Sequence, residues 1–117
     1  MKITIDNLNK TLSCLQCVNN FCDHFDYVKI DTNYVIDYCE EYLVLYAKII
    51  DDSVFITDLN GILDDALLNN ISAHEVKNAA EKNGLKFDGV SIFDHISLEN
   101  IQDKIQQFEK VMIELGL

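Results

Sequence analysis

Four groups of residues in this chain have types and spacings that chemistry can use. The first is Cys14-x-x-Cys17-x4-Cys22-x-His24. Thiolates and imidazole are the ligands that zinc takes in tetrahedral sets. The surrounding pattern argues against zinc. The cysteines interleave with Leu12, Leu15, Val18 and Phe21 on a helical period, where free cysteine behaves as a small apolar residue. On a continuous helix only positions three or four apart are neighbours, so these four do not converge. No second C-x-x-C completes a ribbon. The pair does not open a helix after a strand, as redox-active pairs do. The expectation is reduced thiols, with no metal and no cofactor.

The second group is Asp58-x-Asn60-Gly61 with Asp64 and Asp65. Clustered oxygens suit hard cations, but an EF-hand loop needs its glycine at position six, whereas Gly61 would be fourth counted from Asp58. An end-of-strand turn explains the run, with Asn60 and Gly61 accepting positive φ and acids opening a helix. The third group is Asp37, Glu40, Glu41 and Asp58, which could form a two-metal hydrolytic cluster. Such a cluster must also hold a phosphate, and only Lys48 lies on a neighbouring strand. His24, His74 and His95 are scattered, and no G-x-S-x-G, H-E-x-x-H or P-loop pattern is present. No catalytic residue and no metal ligand is assigned. The candidate binding residues are Asp58, Asn60, Gly61, Asp37 and Glu41, centred on a loop that ends a strand.

The fourth group is aromatic. Tyr27, Tyr34, Tyr38, Tyr42 and Tyr46 fall on three neighbouring strands, and Tyr38, Tyr42 and Tyr46 share parity. An aromatic sheet face can carry RNA if basic residues stand beside it. It can serve as a protein-binding surface, where tyrosine is favoured, or it can be a half-buried layer under a helix.

Charge limits the partners. Among 117 residues there are 20 acidic and 9 basic side chains, a net charge of -11, and every basic residue is lysine. The planar fork that reads phosphate or carboxylate bidentately is absent. Direct nucleic-acid binding and docking on an anionic membrane are disfavoured. An acidic surface suits solubility, a protein partner with a basic surface, or imitation of nucleic acid. No apolar run is long enough for a membrane span, and no signal-peptide pattern opens the chain. A cytoplasmic protein with reduced cysteines is expected.

The elements that must position these residues follow from periodicity. Leu8, Leu12, Leu15, Val18, Cys22 and Phe25 recur at helical steps, predicting a helix over 6–25 capped by Asp6. Val28–Ile30, Tyr34–Tyr38, Tyr42–Ile50 and Ser53–Thr57 read as four strands. Ile62–Asn69 reads as a short helix. Ser72 and Glu75 form a capping box for the next, which Gly84 ends. Asp88-Gly89 marks a hairpin over 85–93. Ser97 caps a last helix with Leu98, Ile101, Ile105, Phe108, Met112 and Leu115 on its apolar face. The prediction is one α+β domain over 1–117: an antiparallel sheet of about four strands packed by N-terminal, central and C-terminal helices, plus the small hairpin.

Two runs carry a resemblance. The first is Asp26-Tyr27-Val28-Lys29-Ile30-Asp31-Thr32-Asn33-Tyr34-Val35 followed by Glu41-Tyr42-Leu43-Val44-Leu45-Tyr46, and the second is Phe55-Ile56-Thr57-Asp58-Leu59-Asn60-Gly61-Ile62-Leu63-Asp64-Asp65. Over roughly 26–115 these resemble a bacterial and phage domain of unknown function, numbered eighteen-twenty-eight. Asn33 stands where that family has proline, and Asn60 stands at the second aspartate of its thr-asp-asp-gly run. The resemblance implies no mechanism. It implies only a phage or mobile-element setting.

The sequence therefore points first to a non-enzymatic protein-interaction or regulatory module, with a homodimer among the assemblies open to it. Two other readings stay open. One is an acidic nucleic-acid mimic that inhibits a DNA- or RNA-binding protein. The other is a small metal-dependent hydrolase using Asp58 and nearby acids. A secretion chaperone would suit the size and charge, but no motif supports it.

Overall fold

Alternation of side chains builds the centre of the molecule. The structure, a computed structural model, describes residues 3–117. Val28, Ile30 and Thr32 are buried on β2 (Tyr27–Ile36), and Leu43, Leu45 and Ala47 on β3 (Glu41–Ile50). Val54 and Ile56 continue the row on β4 (Ser53–Thr57). The intervening residues point the other way, as a strand's period of two requires.

The antiparallel sheet has six strands in the order β1-β2-β3-β4-β6-β5, two more than the sequence suggested. Three things account for the difference. Val28–Ile30 and Tyr34–Tyr38 are not separate strands, because β2 runs through to Ile36 and Tyr38 falls in the turn after it. The hairpin of β5 (Lys86–Phe87) and β6 (Ile92–Ile96) joins the same sheet through β4. The third is β1 (Val18–His24), where a helix was expected.

That helix stops early. α1 spans only Ile5–Ser13. Its cap is Thr4, not Asp6, in a box completed by Asn7: the Asn7 amide donates to Thr4 Oγ1 at 3.2 Å, and the Thr4 amide to Asn7 Oδ1 at 3.0 Å. Beyond it Asn19-Asn20 is poor helix sequence, and β2 supplies main-chain partners, pairing Phe21 with Ile30 and Cys22 with Lys29. The helical spacing past Leu12 is a coincidence of sequence. Leu15, Val18 and Phe21 still pack on the core, but Cys22 is exposed. Phe25 sits at the hairpin tip, 95% exposed, with φ 56.

β2 also carries an irregularity. It uses four steps from Asp31 to Val35 where β3 uses two from Val44 to Tyr42. Thr32 fills the bulge: its hydroxyl donates to the Leu43 carbonyl at 2.9 Å and accepts from the Tyr34 amide at 3.2 Å. Two extra residues make one whole pleat, so the inward and outward sets survive on both sides of it.

The helices gather on one face. α2 (Gly61–Leu68), α3 (Ala73–Lys82), α1 and α4 (Ile101–Leu115) join the inward residues in one buried cluster that includes Leu8, Ile62, Val76 and Phe108. The Ser72–Glu75 box caps α3. Gly84, at φ +77, ends it in a conformation that favours glycine. Ser97 caps no main chain. Its hydroxyl accepts from Asn100, and a 3-10 turn over Leu98–Asn100 leads into α4. Asp94, on the helix side of β6, is held by Lys104 of α4 at 2.7 Å, with both side chains largely buried. Among the described residues no helix is long and apolar enough to cross a membrane.

Candidate functional site

Two surfaces compete for function, and they meet. The first is a cleft of about 290 Å³ where β4 ends beside β3. Thr57, the last residue of β4, pairs with Tyr46. The chain then turns away into α2, so no strand flanks the half of β3 from Tyr42 to Val44 on that side. Leu43 turns its carbonyl toward β2. By alternation, Tyr42 and Val44 turn theirs into the cleft. Leu59, Asn60, Gly61, Asp64 and Asp65 form the opposite wall.

Asp58 holds that wall in place. It is 2% exposed. Its Oδ1 accepts from the amides of Ile92 at 2.9 Å and Asn60 at 3.1 Å, and Oδ2 from Ile62 at 3.0 Å. Its own amide donates to the Ile92 carbonyl at 3.2 Å. One carboxylate thus ties the β4–α2 turn to β6. Burial pushes its pKa up to about 6, with the three amides pulling the other way. Both oxygens face main-chain donors, which is the geometry of an architectural clamp.

The positive φ expected of Gly61 belongs instead to Leu59 (φ 47) and Asn60 (φ 66). Gly61 opens α2, and a Cβ there would meet nothing within 4 Å. Leu59 is the surprise, since a branched side chain rarely enters the left-handed region. Tyr34 is half-buried and packs on the core, apart from the other tyrosines. Tyr38 donates its hydroxyl to Asp65, which pushes the phenol well above its ordinary range.

The sequence-derived candidates are only partly brought together. Asp58, Asn60, Gly61 and Glu41 line the cleft. Asp37 does not, and lies in the β2–β3 turn with its amide on the Leu117 carbonyl at 3.0 Å. The cysteines are dispersed: Cys14 and Cys22 are exposed, and Cys17 is buried with its thiol pKa raised by desolvation. Among the described residues no group of three or more His, Cys, Asp or Glu could hold a metal ion.

The second surface is the outward face of the sheet. None of its apolar residues belongs to the buried core. The strand registers give its rows directly. His24, Tyr27, Lys48, Phe55 and His95 stand side by side across five strands, and Lys29, Tyr46, Thr57, Phe93 and Lys86 form the next row. The rings touch. His24 lies 5.5 Å from Tyr46, Tyr46 6.1 Å from Tyr27, and Phe55 5.8 Å from Phe93 and 5.0 Å from His95. The Lys48 ammonium lies 4.9 Å from the centre of the Tyr27 ring and 5.8 Å from that of Phe55. The tyrosines signalled this face in the sequence. Phe55, Phe93 and His95 did not, because they become neighbours only when β6 pairs with β4. Tyr42, Val44 and Tyr46 belong to both surfaces, so the cleft opens onto the sheet face.

Comparison with protein-family models, with curated proteins and with solved structures finds no match.

Proposed function

We propose that this chain is a non-enzymatic interaction module that binds a protein partner with the outward face of its sheet. The observation that carries this reading is the aromatic face itself. Tyr27 packs against Tyr46 and Phe55 against Phe93, Lys48 bridges the two pairs, and no helix lies over them. A continuous apolar and aromatic patch at the surface of a folded chain is the usual signature of an interface. The cleft wall at Asn60, Gly61 and Glu41 forms its rim, and Asp58 holds that rim in position.

The hydrolase reading draws little from this geometry, because the Asp58 oxygens are occupied by amides. The charge imbalance falls on the helix side and the loops, which is the side a basic partner would meet.

The test is cross-linking in the native host with three proteins: wild type, Phe55→Glu with Phe93→Glu, and a control carrying Ile113→Glu on exposed α4 surface. The partner should be lost with the double variant and kept with the control. Loss with the control alone would place the interface on the helices instead.

A further inference from the structure

We infer that the outward sheet face accepts a short acidic segment of a partner protein, an extended run of carboxylates alternating with apolar side chains. This rests on the interaction reading above and names the chemistry of the partner. The argument begins with where the lysines are. Across the outward face stand Lys29 and Lys48, against one carboxylate, Asp31, while Lys86 at the β5 edge turns its ammonium toward Asp94 at 3.9 Å. In a chain with 20 acidic and 9 basic residues, two lysines against one carboxylate on one face is a reversal of the whole.

The lysines of this protein fall into two kinds. Lys104 and Lys82 are matched to carboxylates at 2.7 Å and 2.6 Å. Lys29 and Lys48 have none within ion-pair distance among the described residues, nor do Lys10, Lys77 and Lys110 on the helices, but only Lys48 is held over aromatic rings. Lys86 reaches Asp94 only at 3.9 Å. Lys48 is the centre of the face, its ammonium held over two rings. A cation placed among aromatic side chains and lacking an anion offers a partner both charge and apolar contact.

The dimensions suit a peptide. Five strands span four inter-strand spacings, roughly 19 Å. An extended segment covers that distance with about six residues. Two or three carboxylates on one side of such a segment can meet the lysines while the alternate side chains lie on the rings.

A single-stranded nucleic acid would meet the same cations but fits less well. Base stacking needs free ring faces. Here Lys48 covers those of Tyr27 and Phe55, and the remaining rings lie against one another. A long polyanion would also run off the face into the field of a chain with net charge -11. A second copy docking face to face would oppose lysine to lysine.

The test titrates isotopically labelled protein, followed by amide NMR shifts, with three probes. These are a hexapeptide alternating Glu with Phe and Leu, the same peptide with Lys for Glu, and an oligothymidine of similar length. The Glu peptide should shift amides of β3, β4 and β6. Its affinity should fall at least tenfold in Lys29→Glu with Lys48→Glu and severalfold in Lys48→Met, a milder change that guards against misfolding of the first. Binding should weaken with added salt. If the Lys peptide binds this face as well or better, the acidic-partner inference fails while the interaction reading stands. Tighter binding by oligothymidine overturns both in favour of nucleic acid. No shift on the face with any probe up to about 1 mM, the weak end of specific recognition, overturns the inference, and the cross-linking experiment then decides the interaction reading alone.

Discussion

Lys104 and Lys48 stand on opposite sides of one sheet and do different work. Lys104 lies under the helices, 12% exposed, with its ammonium 2.7 Å from Asp94 and 3.3 Å from the Gly84 carbonyl. Lys48 lies on the outward side over the Tyr27 and Phe55 rings, without a carboxylate. On the helix side the largely buried Asp94 is answered from within the chain by Lys104, while one Glu109 oxygen is buried without a hydrogen-bond partner among the described residues. On the outward side Lys29 and Lys48 have no carboxylate within ion-pair distance among the described residues, and no helix lies over the rings. The buried core lies on one face of the sheet and the aromatic rows on the other, although the two share every strand.

The sharpest way to break this contrast is a pair of neighbours on β4. Ile56 is fully buried and Phe55 points outward. Ile56→Ala should cost about 4 kcal/mol, whereas Phe55→Ala should cost about 1 kcal/mol despite removing more atoms. Urea unfolding at pH 7 measures both. Equal losses would mean that the outward face is part of the core.

Asp58→Ala should come next, costing about 3 kcal/mol, because it strands buried amides of Ile62 and Ile92. If the change is nearly neutral, the clamp described for this residue is not holding the turn.

The same carboxylate predicts a pH dependence. Its folded pKa, pushed up to about 6, lies above the ordinary aspartate value of 3.8. The folded state therefore holds the proton more readily. This contribution is fully present below about pH 4 and is lost as pH rises through 6. Wild type should gain roughly 2 kcal/mol between pH 7 and 4 relative to Asp58→Asn. Parallel pH profiles for the two proteins would contradict it.

Lys104→Met should cost about 2 kcal/mol by leaving Asp94 with only the longer contact to Lys86, while Lys48→Met should cost no more than about 0.5 kcal/mol. A large loss at Lys48 would make its ring contacts structural. Gly61→Ala should be smallest, within about 0.5 kcal/mol of neutral, since φ there is helical and the space is open.

Much of this was legible in the residues, and the failures have physical causes. The Ser72–Glu75 box, the run into β3 and β4, and the Asp88-Gly89 turn announce themselves because the signal and the bond are both local. Asp88 Oδ1, for instance, accepts from the amides of Val90 and Ser91 within its own turn. The stretch over 14–24 misled because its helical spacing was incidental. What made it a strand was pairing with β2, and spacing within one segment does not report on its partner. The Asp58 loop stood out in the sequence as an end-of-strand turn, but Asp58 also meets the distant amide of Ile92, 34 residues away. Composition could not show that burial rather than exposure makes it important. Alternation on β3 separated two faces without saying which one the helices would cover. That choice is made by tertiary packing, and with it the partition of charge.

The bulge in β2 sets a rule for how this chain can change length. Its two surplus residues amount to one pleat, so Tyr27 and Lys29 remain on the outward side while Ile36 returns to the inside. Trimming a single residue between Asp31 and Val35 would shift half the strand by one step, driving Val35 inward and turning Ile36 out to water. Removing two would leave both faces as they are. Insertions and deletions here should be tolerated in even steps and rejected in odd ones, so relatives of this chain should differ in β2 by pairs of residues.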